Sequence, residues 1–214
     1  MIYLLSPLQK EGTHALPIIT FELLVNSIDF SSCNMLMFTS KQAVIFVDKV
    51  DKKWKEIPCI AIGGATKKKI EELGGTVLYY PKKFYGEALS QDIKNYFNNK
   101  RILYLRPQEV SFDSKAYLEK EDIYLEEQII YKTSCKSYLS EDQPRKNAII
   151  IFTSPSTIRC FFKNFKWDKS YMAILIGNAT KEHLPKECHY EVADVPLIES
   201  CLKKAKEIEK NRLI

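Results

Sequence analysis

Two short motifs occur twice in this chain, and both recur at one offset. Met37-Phe38-Thr39-Ser40 returns as Ile151-Phe152-Thr153-Ser154, and Ile62-Gly63-Gly64-Ala65-Thr66 returns as Ile176-Gly177-Asn178-Ala179-Thr180, each about 114 residues later. A shared spacing across two separate motifs indicates two copies of one folding unit, with a ligand cleft expected between them. A chain of 214 residues suits two small domains or one large one.

The repeat extends further. Ile2-Tyr3-Leu4-Leu5-Ser6-Pro7 aligns with Ile102-Leu103-Tyr104-Leu105-Arg106-Pro107, and Pro17-Ile18-Ile19-Thr20 with Gln128-Ile129-Ile130-Tyr131. The middle of the chain holds all four segments in order. The remainder holds the last two at its start and the first two at its end. The copies are therefore expected to be interleaved: residues 1–19 with 134–214 form a discontinuous domain, and 20–133 form an inserted one. The chain must cross twice, near 18–24 and 126–134. Both crossings are β-rich and neither is a Gly/Ser linker, so a two-stranded antiparallel ladder is expected to join the domains.

Short apolar runs at 2–5, 18–24, 35–39, 59–62, 77–80, 102–105, 123–131, 148–153, 172–176 and 190–193 read as strands covered on both faces. Helical patterns fall between them at 41–48, 66–73, 86–97, 112–119, 156–165 and 195–208. Strand and helix in alternation predict an α/β fold, here two flavodoxin-like or Rossmann-like domains with parallel sheets.

Composition removes several function classes. The net charge of +5 is mild and the lysines alternate with acidic residues, which suits an anionic small ligand and gives no basic tract for nucleic acid. With three histidines and six cysteines but no CxxC pair, no zinc cluster is expected. No run approaches the roughly 20 apolar residues of a membrane span. The first residues lack the basic region of a signal peptide. These features predict a cytoplasmic protein whose thiols are reduced and pack as small hydrophobes.

The chemistry is expected where strands hand over to helices. In open α/β sheets ligands bind at the carboxyl ends of strands, and helix N-termini there offer unpaired amides and a positive dipole end to carboxylates or phosphates. Ser40 and Ser154 suit N-caps. Gly63 and Gly177 permit tight turns, with Thr66 and Thr180 expected to open the next helices. There is no GxGxxG, Walker loop or GxSxG elbow. His183, expected in the helix after Thr180, and His189, before a strand, read as surface or core residues. Tyr131 lies at the second crossing. Its phenol, with a pKa near 10, stays protonated at neutral pH and can act as a proton donor.

Taken in order, Phe38-Thr39-Ser40, Ile62-Gly63-Gly64-Ala65-Thr66, Tyr131-Lys132-Thr133, Phe152-Thr153-Ser154-Pro155-Ser156 and Ile176-Gly177-Asn178-Ala179-Thr180 resemble the uroporphyrinogen-III synthase family. Pro17-Ile18-Ile19-Thr20-Phe21-Glu22 and Tyr85-Gly86-Glu87-Ala88-Leu89 add to the resemblance, which covers essentially the whole chain. It implies a cofactor-independent lyase that closes hydroxymethylbilane, a linear tetrapyrrole with eight carboxylates, to uroporphyrinogen III with loss of water and inversion of ring D. It implies Tyr131 as the residue assisting departure of the hydroxyl. It implies Ser40, Thr66, Ser154, Ser156 and Thr180 as substrate-binding; Gly63, Ala65 and Gly177 at the same turns, and Lys41 as a replacement charge, complete the expected binding set. Lys41 stands where many members have proline, and Gln42 where some have arginine. Hydroxymethylbilane synthase would act upstream, and an intramolecular cleft suits a monomer. The competing readings are a non-catalytic two-lobed binding protein for an anionic metabolite and a flavodoxin-like phosphate or nucleotide enzyme.

Overall fold

Every apolar run singled out above becomes a strand in the computed structural model, which describes residues 1–82 and 84–212. The strands are β1 (Ile2–Leu4), β2 (His14–Ala15), β3 (Ile19–Leu23), β4 (Met35–Phe38), β5 (Cys59–Ala61), β6 (Val77–Tyr79), β7 (Ile102–Pro107), β8 (Leu125–Cys135), β9 (Ile149–Phe152), β10 (Met172–Leu175) and β11 (Tyr190–Val192). The helices are α1 (Lys41–Val50), α2 (Gly64–Glu72), α3 (Gly86–Tyr96), α4 (Ser114–Glu119), α5 (Pro155–Asn164), α6 (Asn178–Lys181) and α7 (Ile198–Asn211). The chain divides into two units, Met1–Phe21 with Thr133–Ile214, and Glu22–Lys132.

The discontinuous unit is built on a parallel sheet in the order β11-β10-β9-β1-β2. All four residues of β9 are buried, and the pleat sends alternate side chains to opposite faces. Ile150 and Phe152 meet Ile158 and Phe161 of α5. Ile149 and Ile151 meet Cys201 and Ala205 of α7. A strand sandwiched in this way has no solvent side, which explains its unbroken apolar run.

In the continuous unit the sheet order is β3-β8-β7-β4-β5-β6. Met35 and Met37 of β4 pack with Leu89 and Ile93 of α3 and Leu118 of α4. On the adjacent residue Phe38, the ring lies 5.9 Å from that of Trp54, edge to face. When the repeats are overlaid, β4, β5 and β6 correspond to β9, β10 and β11, and β7 and β8 correspond to β1 and the segment beginning at β2. The two sheets then read in the same order.

β3 and β8 are hydrogen-bonded neighbours. The Leu24 amide donates to the Ile130 carbonyl and the Lys136 amide to the Ile18 carbonyl, both at 2.9 Å. One index rises as the other falls, so the two runs pass in opposite directions.

Several boundaries depart from expectation. β8 continues to Cys135 because its far half is paired in this run. α7 starts at Ile198, not 195, because Pro196 holds the residue before it out of helical backbone. His183 lies in a turn beyond the short α6. The expectation of reduced thiols is corrected: Cys135, at the end of β8, and Cys160, on α5, form a disulfide with Cα atoms 5.1 Å apart. That distance lies within the disulfide range. The partners are 25 residues apart in sequence, and only the fold brings them together. Cys33, Cys59, Cys188 and Cys201 are free and buried. Among the described residues no helix is long and apolar enough to cross a membrane.

Candidate functional site

Each sheet ends its central strand in the same junction. Ser40 leaves β4 in extended backbone (φ −154°, ψ 150°), and its hydroxyl accepts from the Ala43 amide at 3.1 Å, capping α1. Ser154 leaves β9 likewise (φ −172°, ψ 163°) and caps α5 by accepting from the Thr157 amide at 3.3 Å. Thr157 Oγ1 accepts from the Ser154 amide at 3.2 Å, completing a capping box. Pro155 occupies the first turn, where its missing N–H costs nothing. Ser156 Oγ lies 2.8 Å from Ser154 Oγ. Lys41, the first residue of α1, is exposed.

On the neighbouring strands, β5 and β10, glycine does the capping. Gly63 and Gly177 have extended backbone and no side-chain cap bond. The helices begin at Gly64 and Asn178, so Thr66 and Thr180 are third residues rather than openers. Both threonines are buried, and their amides bond back to the carbonyls of Gly63 and Gly177 at 3.1 and 3.0 Å. The first amides of a helix have no partner within it. At α2 these belong to Gly64 and Ala65. The two glycines differ in surroundings: a Cβ on Gly63 would lie 2.5 Å from Phe84 Cδ1, whereas one on Gly177 would meet nothing within 4 Å.

Tyr131 reaches this edge through an irregularity. β8 pairs in parallel with β7 as far as Arg106 opposite Ile129, then slips so that Pro107 faces Tyr131. A bulge re-aims the side chains that follow it. Ile129 is exposed, whereas Ile130 and Tyr131 in succession are buried, which breaks the period-two alternation. The Tyr131 ring packs 5.5 Å from that of Phe46 on α1. Its hydroxyl lies 2.9 Å from Ser40 Oγ. Burial pushes the phenol above its ordinary pKa, and the bond to Ser40 offsets part of the rise. The group is protonated at neutral pH.

A second hydroxyl pair lies beside it. Thr39 Oγ1 and Tyr104 OH are 2.7 Å apart, and burial pushes the Tyr104 phenol up to about 12. The Arg106 guanidinium forms an ion pair with Glu127, Nε to Oε2 at 3.1 Å, and its Nη1 donates to the carbonyls of Pro107 and Gln108. The Nε contact has ion-pair distance without hydrogen-bond alignment. Sequence reasoning passed over Tyr104 and Arg106. The available signal was that these polar residues occupy repeat positions held by Leu4 and Ser6 in the other copy.

Within the continuous unit, the fold thus brings Ser40 and Tyr131 into contact and sets Gly63, Ala65 and Thr66 on the next strand's junction. Within the discontinuous unit, Ser154 and Ser156 touch, and Gly177 and Thr180 follow the adjacent strand. Hollows of about 400 and 490 Å³ are lined by segments leading into strands, such as Ile28–Ser31 and Phe165–Trp167, away from these junctions. Among the described residues no three His, Cys, Asp or Glu side chains are grouped to hold a metal ion.

A family model described as uroporphyrinogen-III synthase HemD matches residues 6–203. Among solved structures, the chain is similar to the uroporphyrinogen-III synthetase of Helicobacter pylori 26695, with TM-score 0.77 and 24% identity over 97% of this chain and 98% of that one. It is also similar to a mutant uroporphyrinogen III synthase of the extremely thermophilic bacterium Thermus thermophilus, with TM-score 0.62 and 10% identity over 98% of each chain. At these identities the structures speak for the fold alone. No curated protein sequence matches the chain.

Proposed function

The chain belongs to the uroporphyrinogen-III synthase family, and from that premise we propose how its residues close hydroxymethylbilane to uroporphyrinogen III. The family match across residues 6–203 carries the assignment. The family's enzymes are lyases of tetrapyrrole biosynthesis that use no cofactor.

Tyr131 is the proton donor. The bond from the substrate's hydroxymethyl carbon to its oxygen breaks. The oxygen keeps the electron pair, takes the phenolic proton and leaves as water, while the adjacent pyrrole supplies electrons to form an azafulvene. The substituted carbon of ring D attacks this centre, giving a spiro intermediate that fragments and recloses with ring D inverted. The proton lost on rearomatisation restores the phenol. Positioned acid catalysis of this kind contributes about 10²- to 10⁴-fold. Ser40 orients the phenol, as their 2.9 Å contact allows.

Unassisted closure gives the uninverted isomer I, so the enzyme's larger task is to hold one geometry. Ser40, Lys41, Gly63, Ala65 and Thr66 at one sheet edge, and Ser154, Ser156, Gly177 and Thr180 at the other, are the proposed carboxylate-holding groups. Their support is position at helix starts, where amides and dipoles favour anions. Thr66 and Thr180 are buried, so their part is to fix the turn and present backbone amides. A cytoplasmic monomer receiving its substrate from hydroxymethylbilane synthase completes the proposal. The test is to mix the protein with freshly generated hydroxymethylbilane, oxidise the products and separate the isomers. Isomer III is expected. Isomer I alone would sink the assignment.

A further inference from the structure

We propose that Phe84 is a positioning residue for this reaction, its ring forming a wall against which one pyrrole ring of the substrate stacks. The proposal rests on the synthase reading above.

Phe84 lies in the connection from β6 to α3 and is 41% exposed, flanked by Tyr80 and Tyr85 at 41% and 43%. An exposed aromatic by itself means little; its place on the fold is what counts. A Cβ built on Gly63 would lie 2.5, 3.0 and 3.2 Å from Cδ1, Cγ and Cε1 of Phe84. One side of the ring therefore rests against the turn that starts α2. Two residues on, a Cβ on Gly86 would lie 2.8 Å from Phe112 Cβ, in the segment after β7. The sheet order is β7-β4-β5-β6. Phe84 and Gly86 thus touch segments that follow β5 and β7, and in the sheet order β4 lies between those two strands. The carboxyl end of β4 carries Thr39 and Ser40, and Ser40 touches Tyr131.

The chemistry of the substrate matches this wall. A pyrrole is a flat, electron-rich ring that prefers offset or edge contact with another aromatic ring. Protonated, the azafulvene carries positive charge, which the negative face of a phenyl ring attracts. That attraction grows as the hydroxyl leaves, so it favours the transition state over bound substrate. A ring seated on Phe84 would also place a carboxylate arm within the reach of the Gly64 and Ala65 amides.

Cover for the glycine turn is the purely structural alternative, and the variants separate the two. Phe84→Leu keeps an apolar cover on Gly63 but removes the aromatic face; Phe84→Tyr keeps the face. With the full chain and fresh hydroxymethylbilane, Phe84→Leu is expected to melt near wild type. It should lose about 3- to 10-fold in kcat/KM for isomer III, the worth of one aromatic contact. It should also release a larger fraction of isomer I, as poorly held substrate closes unassisted, while Phe84→Tyr restores both values. Wild-type kinetics and isomer ratio in Phe84→Leu would overturn the proposal, as would a deficit that Phe84→Tyr does not restore. If wild type itself forms only isomer I, it is the synthase reading that fails. If wild type forms isomer III and Phe84→Leu matches it, only the role of Phe84 fails.

Discussion

The two serine junctions share a backbone and differ in company. Ser40 caps α1 and touches the Tyr131 hydroxyl. Ser154 caps α5 and is engaged by Ser156 and Thr157, its own neighbours in sequence. In the repeat, the place of Tyr131 is taken in the other copy by Thr20, whose exposed hydroxyl bonds to the Ser134 carbonyl. Leu4 stands where Tyr104 stands. The repeat gives two junctions of the same backbone design, and the buried phenols of Tyr131 and Tyr104 stand at only one of them. The other was reinforced instead, by a capping box and a disulfide.

That asymmetry can be broken from either side. Its largest expected effect on stability is in the reinforced unit. Reducing the Cys135–Cys160 bond, or Cys135→Ser, should lower unfolding stability by about 2–4 kcal/mol, the usual worth of closing a loop of this order. Denaturant unfolding with and without reductant checks this, and identical curves would show that the bond constrains nothing.

On the other side the expected signature is alkaline. Burial raises Tyr104 from 10.0 to about 12. The folded state therefore keeps a proton that the unfolded chain releases, and stability falls as pH climbs from 10 towards 12. The loss is about 2–3 kcal/mol. Tyr104→Phe should be less sensitive by that amount. Cys59 and Cys201, also raised to about 12, release protons over an overlapping range in both proteins, so the difference between the two stability–pH curves is what is read. Parallel curves would contradict the assignment.

Smallest are the caps. Ser40→Ala and Ser154→Ala should each cost about 1 kcal/mol in thermal unfolding. Both can lose a carboxylate contact, but Ser40→Ala should slow turnover more, by up to about tenfold beyond Ser154→Ala, through the lost contact to Tyr131. Equal slowing in both would erase the difference between the junctions.

Much of this was legible beforehand, for identifiable reasons. The strands showed because helices cover both faces of each sheet, leaving unbroken runs such as Ile149 to Phe152. The strand–turn–helix junctions showed because capping demands Ser, Thr or Gly at set places. Side-chain destinations did not show. Tyr131 reaches Ser40 only because the β7–β8 register slips after Arg106, and pleat counting carries no mark of a bulge. The Cys135–Cys160 bond joins a strand end to a helix face, a pairing that spacing does not encode. Phe84 reads in sequence as one aromatic among several; its contact with Gly63 depends on where the connection to α3 runs.

The claim that the chemistry belongs to one copy is tested most directly by the rate of isomer III formation in Tyr131→Phe, measured beside Thr20→Val, its counterpart in the repeat. Tyr131→Phe is expected to lose about 10²-fold or more while its melting temperature stays near wild type, and Thr20→Val to turn over as wild type does. A Tyr131→Phe protein with full turnover, or an equal loss in Thr20→Val, would contradict it.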